Sequence, residues 1–213
     1  MAETNLCDQE RTVRFDEFIP YVAVQADGVP ASVIGHAVRL SAIEFAQRTK
    51  VIRRTMYVDL QQCVQYYPLL HDDCYQIMLI DQVCKGFTTL KPTTIECCMA
   101  GGCWYAYERP NALYIGLIPD CDLKRGLELR VVTTPGQDSC FIDEWVYQQH
   151  AETIAQGALY RILKMADEEW FQPSMASVAA REFNNGVTRA VSADRGRNAL
   201  HTQKVPMPRG FFV

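Results

Sequence analysis

Lys50-Val51-Ile52-Arg53-Arg54-Thr55-Met56-Tyr57-Val58-Asp59-Leu60-Gln61 is where the chain changes its period. Up to Lys50 the apolar residues recur at helical spacing. From Met56 they alternate, with Met56, Val58 and Leu60 set against Tyr57, Asp59 and Gln61, the pattern of a strand with one buried face. A switch from a period near 3.6 to a period of 2 predicts helices before this point and sheet after it.

Upstream, Phe15, Phe18 and Ile19 have a short helical spacing closed by Pro20, and Asp27-Gly28 marks a turn. Pro30 is expected at the first position of the next helix, where its missing N–H costs nothing, and that helix runs to Thr49. Its apolar stripe is Ile34, Ala37, Val38 and Phe45, with Ser32, His36, Arg39 and Gln47 opposite.

Downstream, Tyr75 to Val83 and Phe87 to Leu90 flank Lys85-Gly86 as a hairpin. Further strands are expected at Thr93–Cys98, Cys103–Tyr107, Ala112–Ile118 and Leu127–Thr133, with turns at Arg109-Pro110-Asn111 and Pro135-Gly136. No helical pattern separates these strands, so parallel crossovers are not expected and an antiparallel meander or small sandwich is. Helical spacing returns at Phe141, with Asp138 or Ser139 as cap and Asp143 and Glu144 suited to the positive end of the helix dipole. Ile142, Val146, Ile154, Ala158, Ile162 and Met165 form its core stripe, and Gly157 allows a second helix to approach closely. After Trp170 and Pro173, a further helix carries Met175, Val178, Ala179, Phe183, Val187 and Ala190 to about Ser192, where Arg195-Gly196-Arg197-Asn198 breaks the pattern. The expected fold is therefore α+β: a helical bundle (residues 1–50 and 141–193), an inserted antiparallel β-rich module (51–140) and an extended basic arm (194–213).

At 213 residues, 48% hydrophobic and 22% charged, the chain can bury a sizeable core, which excludes global disorder. No run approaches the about 18 apolar residues of a membrane span, and Met1 to Arg14 has no apolar signal region, so neither a membrane-spanning nor a conventionally secreted protein is expected. The formal net charge of −4 hides a division: residues 1–180 carry −8 and residues 181–213 carry +4. A basic tail on an acidic body suits an acidic partner or nucleic acid. The nine cysteines are odd in number and lack paired metal-ligand spacing, so reduced thiols in a reducing compartment are expected, with no metal and no cofactor.

Catalytic patterns are sparse. There is no Gly-x-Ser-x-Gly elbow and no Gly-rich phosphate loop. His71-Asp72-Asp73 fits a polar turn as well as an acid–base site, and Cys98 could act as a nucleophile only if the fold supplied a base. Trp104, Tyr105 and Tyr107 could stack on bases or sugars, or simply pack in a core. The residues thus leave a thiol- or metal-dependent hydrolase and a monomeric binding module using the β-insert as rival readings.

Several strings taken in order resemble the head-to-tail adaptor proteins of tailed bacteriophages, most closely the tail tubular protein A or gateway type of short-tailed phages. They are Phe15 to Tyr21 ahead of Pro30; Ala42-Ile43-Glu44-Phe45 with Arg48-Thr49; Tyr67-Pro68-Leu69; and Gly86 with Leu90 and Pro92. Ile154 to Leu159 with Leu163, Trp170, and Phe183 with Val187, Arg189 and Ala190 complete the set. The resemblance implies a non-enzymatic virion protein of the neck, assembled in the host cytoplasm as a ring commonly of twelve copies. It would join the portal protein to the tail nozzle and pass DNA through its channel without reading sequence or touching a membrane. A closing ring needs two different complementary faces on each subunit. Ile34, Val38 and Arg39 on one helix and Gln149, Ile154 and Gly157 on another are the candidate walls. Arg195, Arg197, Lys204 and Arg209, with Phe211 and Phe212 as apolar anchors, are the candidate portal contacts.

Overall fold

The computed structural model describes residues 11–69, 74–108, 112–166 and 168–202, the last six of these as backbone. Strand β1 (Thr12–Arg14) runs through a 3-10 turn (Phe15–Phe18) into helix α1 (Ile19–Ala23) and then α2 (Ala31–Thr49). Pro30 stands one position outside α2, at its cap, with φ −59° and ψ 139°. That extended ψ keeps it out of the first helical turn. At the other end Lys50 takes a left-handed conformation, φ 56°, and its N–H closes on the Ala46 carbonyl at 2.9 Å. The helix therefore stops where the period changes.

Seven strands follow: β2 (Arg53–Leu60), β3 (Tyr66–Pro68), β4 (Tyr75–Lys85), β5 (Thr88–Pro92), β6 (Trp104–Glu108), β7 (Ala112–Ile115) and β8 (Leu123–Pro135), with the short helix α3 (Ile95–Met99) between β5 and β6. They form one sheet in the order β2-β8-β4-β5-β6-β7-β3. The long strand β8 lies between β2 and β4, pairing Leu129 with Met56 on one side and with Val83 on the other. Met56, Leu60, Tyr67, Leu113, Ile115, Leu127, Leu129 and Val131 fill its interior. The two edge strands, β2 and β3, are consecutive in the chain and serve this same core, so the sheet curls into a nearly closed barrel. The Tyr67 hydroxyl secures the connecting turn by donating to the Val64 carbonyl at 2.8 Å.

The expected fold differs from the observed one. The chain is α+β, but it is built on a seven-stranded mixed barrel with its own core, not on a helical bundle carrying a small antiparallel insert. Alternation reveals that each strand has a buried face; it does not reveal that the sheet closes on that face. The sheet is mixed because β5 and β6 run parallel. What makes this possible is α3, which lies where a strand was expected at Thr93–Cys98: Thr94 caps it by accepting the Cys97 N–H, and Glu96 sits in its first turn.

A strand, β9 (Phe141–Asp143), replaces the expected start of the next helix by pairing with β1. Helix α4 (Glu144–Leu163) thus begins after Asp143, and Ser139 instead accepts the Phe141 N–H at 3.2 Å in a local turn. Helix α5 (Pro173–Thr202) extends for 30 residues, through Gly196, so the first nine residues of the expected extended arm are helical. One glycine costs a helix only about 1 kcal/mol relative to alanine, too little to end it alone. Residues 203–213 and the turn at Arg109-Pro110-Asn111 lie outside the described residues.

Helices α1, α2, α4 and α5 share a second core that includes Phe18, Phe45, Ile142, Ile154, Leu159 and Phe183. Its tightest point is Gly157, where an added Cβ would meet Ser41 Oγ at 2.1 Å and Phe183 Cδ2 at 2.8 Å. Barrel and helices are joined by a buried polar cluster. Asp143, fully buried, receives Arg54 from β2 and accepts the Tyr75 hydroxyl from β4 at 2.6 Å, while the Arg54 guanidinium lies 3.9 Å from the Tyr75 ring centroid. A second tie runs from Arg53 to Asp194 on α5, two hydrogen bonds of 2.8 Å each.

Candidate assembly surface

An open trough of about 570 Å³ lies on the helical side and continues into a second depression of about 320 Å³. The two share Tyr21, Glu152, Thr153 and Arg189, so they form one channel. Its floor is the outward face of α4, including Gln149, Glu152 and Gln156; α1 contributes Tyr21 and Gln25 to one wall, and α5 contributes Glu182, Arg189 and Ala193 to the other. The walls stand close because α5 crosses α4 at Gly186, where a Cβ would lie 2.4 Å from the Thr153 side chain. At one end the Tyr21 and Tyr147 rings meet edge to face at 6.2 Å. Burial first, and then the hydrogen bond to Tyr21, pushes the Tyr147 hydroxyl pKa up, so Tyr147 is neutral at ordinary pH.

A channel of this shape is open and lined by amides, two glutamates, an arginine, a histidine and two tyrosine rings. It can take side chains from a protein surface as hydrogen-bond and packing partners. Enclosed ligand pockets look different: they bury most of a small molecule and are lined mainly by apolar groups.

Of the residues expected at subunit walls, the structure brings only two to the surface. Gln149 is exposed on the trough floor; Arg39 is half-buried, donating to the Gln137 carbonyl at 3.1 Å. Ile34, Val38, Ile154 and Gly157 are buried in the chain's own helical core, which corrects their assignment to an outer wall. The physical reason is that the most apolar stripe of each helix is the one its own neighbours cover. Residues that line the trough are polar or small, so apolar periodicity does not mark them. Gly186, one turn after Phe183, is the sequence signal that could have pointed to the crossing. Among the expected portal contacts, Arg195 is exposed on α5 and Arg197 lies in that helix; Lys204, Arg209, Phe211 and Phe212 are outside the described residues.

Cys98 is fully buried on α3, its thiol donating to the Trp104 carbonyl at 3.7 Å. Burial pushes its pKa up, partly offset by a backbone hydrogen bond at Ala106, which disfavours the thiolate a nucleophile requires. His71-Asp72-Asp73 falls outside the described residues. Tyr105 and Tyr107 turn their hydroxyls to the Ile80 and Ile77 carbonyls at 3.3 Å, across to β4, while Trp104 is 39% exposed on the barrel surface. Among the described residues no group of three or more His, Cys, Asp or Glu side chains could hold a metal ion, and no helix is long and apolar enough to cross a membrane. No family model matches the chain, and no curated protein matches it.

Proposed function

We propose that this chain is a virion structural protein: the repeating subunit of a head-to-tail adaptor ring, commonly of twelve copies, that joins a phage portal to the tail nozzle and lets DNA pass. The observation that carries the reading is the open polar trough on the helical side, a shape suited to side chains of another protein. The order and spacing of the strings from Phe15 to Ala190 support it from the sequence. Charge supports it as well, because a wall dense in Lys and Arg would hold duplex DNA through its phosphates, whereas residues 1–180 carry −8.

The basic C-terminal segment is assigned to portal docking. Because Asp194 is tied to Arg53, truncation belongs after Thr202. A chain ending there should keep its fold and lose portal docking. The full-length protein is to be mixed with the portal of its phage and examined by particle imaging and mass photometry. A ring seated on the portal is expected. A chain that stays monomeric across concentration and salt, with portal present, overturns the reading.

A further inference from the structure

From the two exposed sides of the helical layer we infer that the trough on α4 is filled by the outer stripe of α2 from a second copy. This rests on the ring reading and specifies its contact. Ser41 on α2 donates to the Ile154 carbonyl at 2.7 Å, and Gly157 abuts Ser41, so this edge of α4 is turned to α2. Gln149, Glu152 and Gln156 lie roughly half a turn round α4 from Ile154, at about 100° per residue. The trough floor is thus directed away from the chain's own α2. On α2, in turn, the side away from Ile34, Val38 and Phe45 carries His36, Arg39, Leu40, Ile43 and Gln47, all exposed or half-buried. One chain therefore presents two unlike surfaces on opposite sides, which is what a heterologous contact requires if its rotation is to close a ring.

The surfaces also match in chemistry and size. The α2 stripe holds two half-buried aliphatic side chains, Leu40 and Ile43, beside Arg39 and His36, with no acid among its residues. The trough offers Glu152 and Glu182 against Arg189, with His150 also in its lining. From His36 to Gln47 the stripe spans about 17 Å, and the α5 wall from Glu182 to Ala193 spans about 17 Å, at 1.5 Å per residue. An amphipathic helix laid in such a channel is a recurring recognition mode, with side chains at i, i+3, i+4 and i+7 as anchors; here they are His36, Arg39, Leu40 and Ile43.

The test uses the full chain, assembled alone or on its portal, with a photoreactive benzophenone amino acid in place of Gln149. Mixing isotopically heavy and light copies makes crosslinks between chains distinguishable by mass. The expected crosslink joins position 149 of one copy to residues 31–49 of another. Charge variants supply the second arm: Arg39→Glu and Glu152→Arg should each raise the concentration for half-assembly at least tenfold, and the two changes together should recover most of it. Rings that form normally but crosslink elsewhere, or single variants that assemble as the native chain does, overturn this contact and leave the ring reading standing. Single variants that keep native melting curves but are not rescued together overturn it also. A native chain that never leaves the monomer, with or without portal, removes the ring reading and this contact with it.

Discussion

Asp143→Ala should be the most damaging single substitution in the polar cluster between barrel and helices. The side chain is fully buried, as is most of Arg54, whose side chain is 11% exposed. Removing the carboxylate takes from the Arg54 guanidinium the anionic partner it has in this cluster, with little water to replace it, which costs about 3–5 kcal/mol in comparable buried pairs. Tyr75 loses the acceptor of its 2.6 Å hydrogen bond at the same time, adding about 1 kcal/mol or more. The total of about 4–6 kcal/mol is a large share of the about 5–15 kcal/mol that holds a domain folded. In a chain of this length it lowers Tm by about 10–20 °C. Thermal and urea unfolding followed by near-ultraviolet circular dichroism measure it, with Asp143→Asn as the milder control. The decisive comparison is the double variant Asp143→Ala with Arg54→Met. If the cost arises from the Arg54 charge left facing the lost carboxylate, removing that charge restores stability, and the double variant melts above Asp143→Ala alone. A loss below about 1 kcal/mol for Asp143→Ala, or a double variant no better than additive, refutes the reasoning.

The same cluster predicts alkaline sensitivity. Burial, then the hydrogen bond to Asp143, raises the Tyr75 pKa well above its unfolded value, so its contribution is full below about pH 10 and is lost as pH rises beyond it, by about 1.4 kcal/mol per pH unit. Tyr75→Phe should flatten that slope in denaturant midpoints measured from pH 9 to 11. Gly157→Ala gains about 1 kcal/mol of helix propensity, but the new methyl meets Ser41 and Phe183 in a packed core, an overpacking cost of about 1–3 kcal/mol. The expected outcome in urea unfolding is a net loss, partly recovered when Ser41→Ala is added. Among the described cysteines, Cys98 should react last with a thiol reagent under native conditions, behind exposed Cys63, Cys97, Cys103, Cys121 and Cys140. Mass mapping of early labelling tests this, and early modification of Cys98 would contradict its burial.

How far the sequence could be read follows from what each pattern encodes. The change of period at Lys50 placed the end of α2 correctly, because local backbone preference and side-chain alternation are both short-range properties. Alternation through Met56, Val58 and Leu60 likewise identified a buried strand face. It failed at Ile95–Met99, five residues whose Thr94 cap and Glu96 favour a short helix that alternation alone reads as strand. It failed again at Phe141–Asp143, where an apolar residue at helical spacing is equally consistent with pairing to β1. At Gly196 a break was expected on propensity, yet the helix continues.

The assembly surface shows the same boundary. Ile34, Val38, Ile154 and Gly157 stood out because apolar periodicity marks what must be covered; it does not say by what. In the folded chain α2, α4 and α5 cover one another's stripes, and the surface left over is the polar trough. By itself, then, the sequence determined the helical and alternating segments, their buried faces and the division of charge between body and tail, since these depend on neighbours along the chain. Barrel closure, the parallel β5–β6 pair, the partnership of Arg54, Tyr75 and Asp143, and the opposition of trough and α2 stripe were decided only in the tertiary structure. Each depends on residues tens of positions apart meeting in space, and no local spacing records that.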